Sequence, residues 1–209
     1  MKFKFVLPAA IVTVLGVSLA FGSVTTKKTV RSAEQTVAAA AKAEKLKQMK
    51  DILFKLVRQD EYLDEVIETL DTANARLTAQ DISALSLRLK IIQVNLDNTA
   101  ALNKAQFTEI QPGSSLSPYT KTIRSYSAKM NKKVARVGLL AAAFAAKNKK
   151  TAMRDAVSSR KTGKVYGKNI TQLLEDQQAI KQLSTAIKSL KSSSAKLTAT
   201  SNWLYIVSK

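Results

Sequence analysis

The chain has 209 residues, with 34 Lys and Arg against 15 Asp and Glu, a formal net charge of +19, and neither histidine nor cysteine. Without those two residue types it lacks the commonest general base, imidazole and thiolate metal ligands, and any disulfide scaffold, so no metal or cofactor is expected and packing must supply the stability. Only Pro8, Pro112 and Pro118 interrupt a composition dominated by Ala, Leu, Lys, Ser and Thr, which is helical with little strand signal.

Lys2 and Lys4 precede an uncharged run from Phe5 to Thr26 that ends in small residues, Ser18-Leu19-Ala20 and Ala20-Phe21-Gly22. This order predicts a signal peptide over residues 1–22, cleaved to leave a single helical domain over 23–209 outside the cytoplasm, periplasmic or secreted. Left uncleaved, the run is long enough to serve as a membrane anchor. Pro8, Gly16 and Gly22 inside it, and Lys27 and Lys28 directly after it, argue against a permanent span.

Four helical stretches follow, expected at about 29–77, 79–110, 119–158 and 169–206. In the first, Leu46, Met49, Leu53, Leu56, Leu63, Ile67, Leu70 and Leu77 recur at steps of three and four, with Asp60 and Asn74 at two expected core positions; this is a heptad seam. Thr78-Ala79-Gln80-Asp81 reads as a capping box opening the second stretch. Its seam is Ile82, Leu85, Leu89, Ile92 and Leu96, and Leu87, Ile91 and Val94 widen the apolar surface, which predicts burial on more than one side. Gln111 to Pro118 is the clearest loop.

The third stretch presents Ile123, Tyr126, Met130, Val134, Val137, Ala141 and Phe144 as its apolar face. The small residues between Val137 and Ala146 suggest close helix contact. Arg160 to Lys168, with Gly163 and Gly167, reads as a mobile connection. Asn169 is a candidate N-cap for the fourth helix, whose seam runs through Leu173, Ile180, Leu183, Ile187, Leu190, Leu197 and Leu204. The densest aromatic segment, Trp203 to Val207, is expected to close one end of the core; its other reading is a docking tail. The fold class is therefore all-α: an antiparallel four-helix bundle, or a long helical-hairpin coiled coil.

The charge is segregated. Residues 59–111 carry nine acidic and four basic groups, whereas residues 121–168 carry fourteen basic groups and one acid, Asp155. On a helical projection Lys121, Lys129, Lys132, Lys133, Arg136, Lys147, Lys150, Arg154 and Lys161 fall within a sector of about 120°. A merely solvated face would mix in acids, because like charges at i,i+4 are unfavourable by ~0.2–0.5 kcal/mol per pair. The stripe is therefore expected to meet an anionic membrane surface or an acidic envelope polymer. Nucleic acid has the same charge requirement but is less expected, since no RNA- or DNA-binding signature is present.

The acids Asp60, Glu61, Asp64, Glu65, Glu68 and Asp71 are expected to face outward, where they could pair with the stripe but not neutralise it. Ser158-Ser159-Arg160-Lys161 and Ser193-Ser194-Ala195-Lys196 mimic the Ser-x-x-Lys of penicillin-recognising enzymes, but those enzymes need a sheet for which the chain has no signal. No catalytic constellation is found, and the expectation is a non-enzymatic exported binding protein. The alternative is an assembly subunit that forms a coiled coil with itself or with another exported protein.

Overall fold

The computed structural model describes residues 26–73, 77–106, 110, 112–163 and 170–209. Four α-helices occupy them: α1 (Thr26–Thr72), α2 (Ala79–Gln106), α3 (Ser117–Thr162) and α4 (Ile170–Ser208). The signal-peptide expectation, Asn74 and the Asn169 cap fall outside the described residues. No described helix is long and apolar enough to cross a membrane. The chain divides into two compact units, Met1–Ala43 and Glu44–Lys209. In the first, the side chains from Gln35 to Ala43 are exposed.

The second unit is a four-helix bundle around one apolar cluster to which all four helices contribute. Its pairing follows from cross-helix contacts. Arg88 meets Glu65 and Gln106 meets Gln48, so α1 and α2 are antiparallel. Thr120 meets Ser208, Ser127 meets Ser201 and Asn131 meets Ser194, so α3 and α4 are antiparallel. Asp97 meets Ser193 while Asn103 meets Ser201, so α2 and α4 run parallel. Asp60 meets Lys129 and Asp71 meets Arg136, which sets α1 parallel to α3. Two antiparallel hairpins thus lie side by side, joined through parallel contacts.

The core explains the seams. On α1 the fully buried line is Met49, Ile52, Leu56, Leu63 and Val66, with Asp60, Ile67 and Leu70 also buried. Ile52 and Val66 lie just beside the expected seam, and Leu53 is only half-buried. A helix touching two neighbours needs an apolar face wider than the two-position seam of a coiled coil, so the seam read from spacing was too narrow. Burying one such leucine contributes roughly 1.5–3 kcal/mol.

Helix ends follow their caps. Thr78 and Asp81 form the expected box: Thr78 N donates to Asp81 Oδ2 at 2.9 Å, and Asp81 N donates to Thr78 Oγ1 at 3.2 Å. The bonds from Thr78 hold the exposed Asp81 carboxyl below the usual carboxylate range. The first helix stops at Thr72, short of the expected end at 77. The third opens at Ser117 rather than Tyr119, because Pro118 is tolerated in a first turn where its missing N–H has no partner to lose. It also continues past 158 to Thr162, so Arg160, Lys161 and Thr162 are helical rather than part of a connection. Gly163 ends it in the left-handed region, φ 65°, with its N–H bonded to Ser159 O.

Two further expectations change. Leu87, Ile91 and Val94 are exposed, so α2 is buried on one side only. Of the C-terminal segment, Leu204 enters the core while Trp203 and Ile206 remain largely in solvent.

Candidate functional site

The bundle divides the basic stripe of α3 into two parts. The first part is turned toward α1. Asp60 sits at a core position of α1 with 6% exposure, and Lys129 Nζ and Lys133 Nζ each lie 2.6 Å from one of its carboxylate oxygens. Lys133 Nζ also reaches Asp64 at 2.6 Å and the Asp60 carbonyl at 3.2 Å. One turn on, Arg136 lies 3.7 Å from Asp71. Burial pushes the Asp60 carboxyl up, but hydrogen bonds and charge from Lys129 and Lys133 outweigh it and hold its pKa below the ordinary 3.8. The same contact with Asp60 raises the Lys129 ammonium above its usual value. Asp60 therefore occupies the core position that the heptad spacing gave it and does not face outward with the other acids of its patch, because the parallel packing of α1 on α3 encloses it. Lys129, Lys133 and Arg136 serve the bundle's own α1–α3 seam.

The second part is turned away from the core. Lys121, Lys132, Lys150, Arg154 and Lys161 are exposed and make no ion pair among the described residues; Lys147 is exposed beside them. Two cations outside the expected stripe, Lys149 and Arg160, are exposed as well. Projected at 100° per residue, Lys149 and Arg160 stand on one side of Met153 and Val157, and Lys150, Arg154 and Lys161 on the other. Met153 and Val157 are themselves exposed, as is Leu139 several turns earlier. Asp155, the one acid of this stretch, is partly covered. This end of α3 thus presents a narrow apolar line with cations along both edges and no acid between them. The sequence signal for it was present: Met153 and Val157 are spaced i,i+4 among five cations.

The segment also lies beyond the main core. Phe144 is the last buried residue of α3 and Ala179 the first of α4 among the described residues. Ala79, Gln80 and Ser83 at the start of α2 line one shallow cleft with Glu175, Gln178 and Gln182. The antiparallel register of α3 and α4, carried on, places residues 150–162 past the point where α2 begins. At 1.5 Å per residue they extend about 20 Å farther.

Glu65 is taken up by Arg88 at 2.8 Å, so Asp60, Asp64, Glu65 and Asp71 of the six acids from Asp60 to Asp71 are paired. Among the described residues no cluster of acids is arranged to hold a metal ion. Ser193 of the second Ser-x-x-Lys fragment is buried and bonded to Asp97, as a packing residue would be. Comparison with protein-family models, with curated proteins and with solved structures gave no match.

Proposed function

We propose that this is a non-enzymatic helical-bundle protein, exported by its N-terminal segment, that binds an anionic membrane surface through the outer face of residues 149–161 of α3. One observation carries the reading: exposed Met153 and Val157 run between two rows of exposed cations on a helix end that outruns the core. An interfacial helix uses that arrangement, with apolar side chains entering the acyl boundary while flanking Lys and Arg keep their charged heads at the phosphates. An acidic envelope polymer would engage the cations but leave Met153 and Val157 without a role, and this favours lipid. Lys129, Lys133 and Arg136 do not belong to the binding face in this reading, since α1 already uses them.

The test is co-sedimentation of the chain from Ser23 onward with anionic or neutral phospholipid vesicles at low and high salt. Binding is expected for anionic vesicles at low salt. Each cation near such a surface contributes ~1 kcal/mol, so Lys150→Gln, Arg154→Gln and Lys161→Gln together are expected to weaken binding about 100-fold. No binding to anionic vesicles at low salt refutes the membrane reading. Binding to a soluble polyanion alone would support the polymer instead.

A further inference from the structure

The outer face of α2 carries a second heptad. Ala84, Leu87, Ile91, Val94, Asn98 and Ala101 follow one another at steps of three, four, three, four and three, and all six are exposed. Leu87, Ile91 and Val94 retain 61%, 52% and 54% of their surface. This line lies on the side of α2 opposite the buried residues Ile82, Leu85, Leu89, Ile92 and Leu96. Arg88, Lys90, Asp97 and Lys104 flank it and none interrupts it. At its C-terminal end the rim is also apolar. Leu102 is exposed there, and the cross-helix pairs Gln48–Gln106 and Asn103–Ser201 set the exposed Phe54 of α1 and Trp203 of α4 at about the same level of the bundle. Together the six large side chains expose on the order of 600 Å² of surface, at the upper end of the largest apolar patch on a typical monomer, about 300–600 Å², and at the lower end of the roughly 600–1,000 Å² per partner of a specific interface.

The identity of the occupant follows from Asn98. In heptad notation Ala84, Ile91 and Asn98 take one core position (a), and Leu87, Val94 and Ala101 the other (d). β-Branched Ile at the first with Leu at the second favours two strands, and a single Asn there specifies register. In an antiparallel pair each a residue faces a d residue, so Asn98 would meet Leu87, Val94 or Ala101 with its amide unpaired. A parallel, in-register pair sets Asn98 against Asn98 of a second copy, where the two amides bond each other. The flanking positions raise no objection: in that register Lys90 lies across from Asn95, Asp97 from Leu102 and Ser83 from Arg88, with no like charges opposed.

We infer that the protein forms a parallel two-fold homodimer through the outer heptad of α2, with the two Asn98 side chains paired across the axis. Because the axis runs along α2, the basic ends of the two α3 helices emerge at the same end of the dimer. This surface is independent of the membrane reading and stands or falls by a different experiment.

That experiment is sedimentation equilibrium of the full chain across a wide concentration range, without lipid, for the wild type and Ile91→Glu, together with oxidative cross-linking of Asn98→Cys in the otherwise cysteine-free chain. A reversible dimer is expected for the wild type, weakened about 100-fold or more by Ile91→Glu, which places like charges across the two-fold. Asn98→Cys is expected to give a covalent dimer far faster than a control cysteine at the exposed Ser125 of α3. A monomer at all concentrations, or association indifferent to Ile91→Glu, overturns the interface. Cross-linking at position 98 no faster than at 125 overturns the parallel register. Ile91 is solvent-exposed in the protomer, so the variant is expected to unfold at the wild-type midpoint once both are diluted to monomers; a variant that does not fold leaves the cross-linking rate as the deciding result.

Discussion

Removing the Asp60 carboxylate is the sharpest test of how α1 and α3 are held together. In Asp60→Ala, Lys133 loses the more buried of its two counter-ions, each at 2.6 Å, while its side chain keeps only 14% exposure. It retains Asp64 on the solvent side. Lys129 is 56% exposed and returns to water at little cost. Breaking a fully buried pair from one side costs ~3–5 kcal/mol, because the remaining charge is left uncompensated. With Asp64 still in reach of Lys133, the expected loss is about 2–3 kcal/mol, or a Tm lower by roughly 5–10 °C for a bundle of this size. Urea unfolding followed by far-UV circular dichroism measures it, with an unchanged m-value showing that the same surface is exposed. The paired variant Asp60→Leu with Lys133→Met should recover most of the loss, since an apolar pair of similar volume avoids desolvating two charges. A loss under about 0.5 kcal/mol for Asp60→Ala, the level of an exposed ion pair, would overturn this account of the seam.

Three further outcomes are expected. Asp60 titrates at lower pH in the folded chain than in the unfolded one, so its contribution is complete above 3.8 and is lost as pH falls through the folded pKa; acid unfolding of Asp60→Ala should lack this part of the acid limb. Thr78→Ala removes both side-chain bonds at the start of α2 and should cost about 1 kcal/mol by urea titration, with Thr78→Gly costing clearly less than a core truncation. Ser201→Ala removes the hydroxyl that meets Asn103 Nδ2 at 3.0 Å and Ser127 Oγ at 2.7 Å in a fully buried layer, leaving a buried amide donor unpaired at about 1–3 kcal/mol; wild-type stability in this variant would mean the layer is not closed to water.

Much of the bundle was legible in spacing. Met49, Leu56, Leu63 and Leu70 on α1, and Leu183, Leu190, Leu197 and Leu204 on α4, are fully or almost fully buried where the three-and-four pattern put them. The capping box at Thr78 was legible too, because it is made of side chains three residues apart. The proposed binding face was legible only in part. Fourteen cations in one stretch announced a basic helix, but spacing alone could not separate Lys129 and Lys133 from Lys150 and Arg154, since all four share one sector of the same helix.

Helix content, the approximate helix boundaries and most of the inner seams of α1, α3 and α4 are properties of the linear chain, because they depend on backbone propensity and on a local 3.6-residue period. Which of two apolar seams on α2 is covered was settled by packing, since Ile82–Leu96 and Leu87–Val94 are similarly apolar along the chain and differ only in what lies against them. Packing also settled the fate of the charges. Asp60 lies 69 residues from Lys129 and 73 from Lys133, and only the parallel packing of α1 on α3 brings them within 2.6 Å. Coulombic partnership depends on distance through space, and no local pattern encodes it.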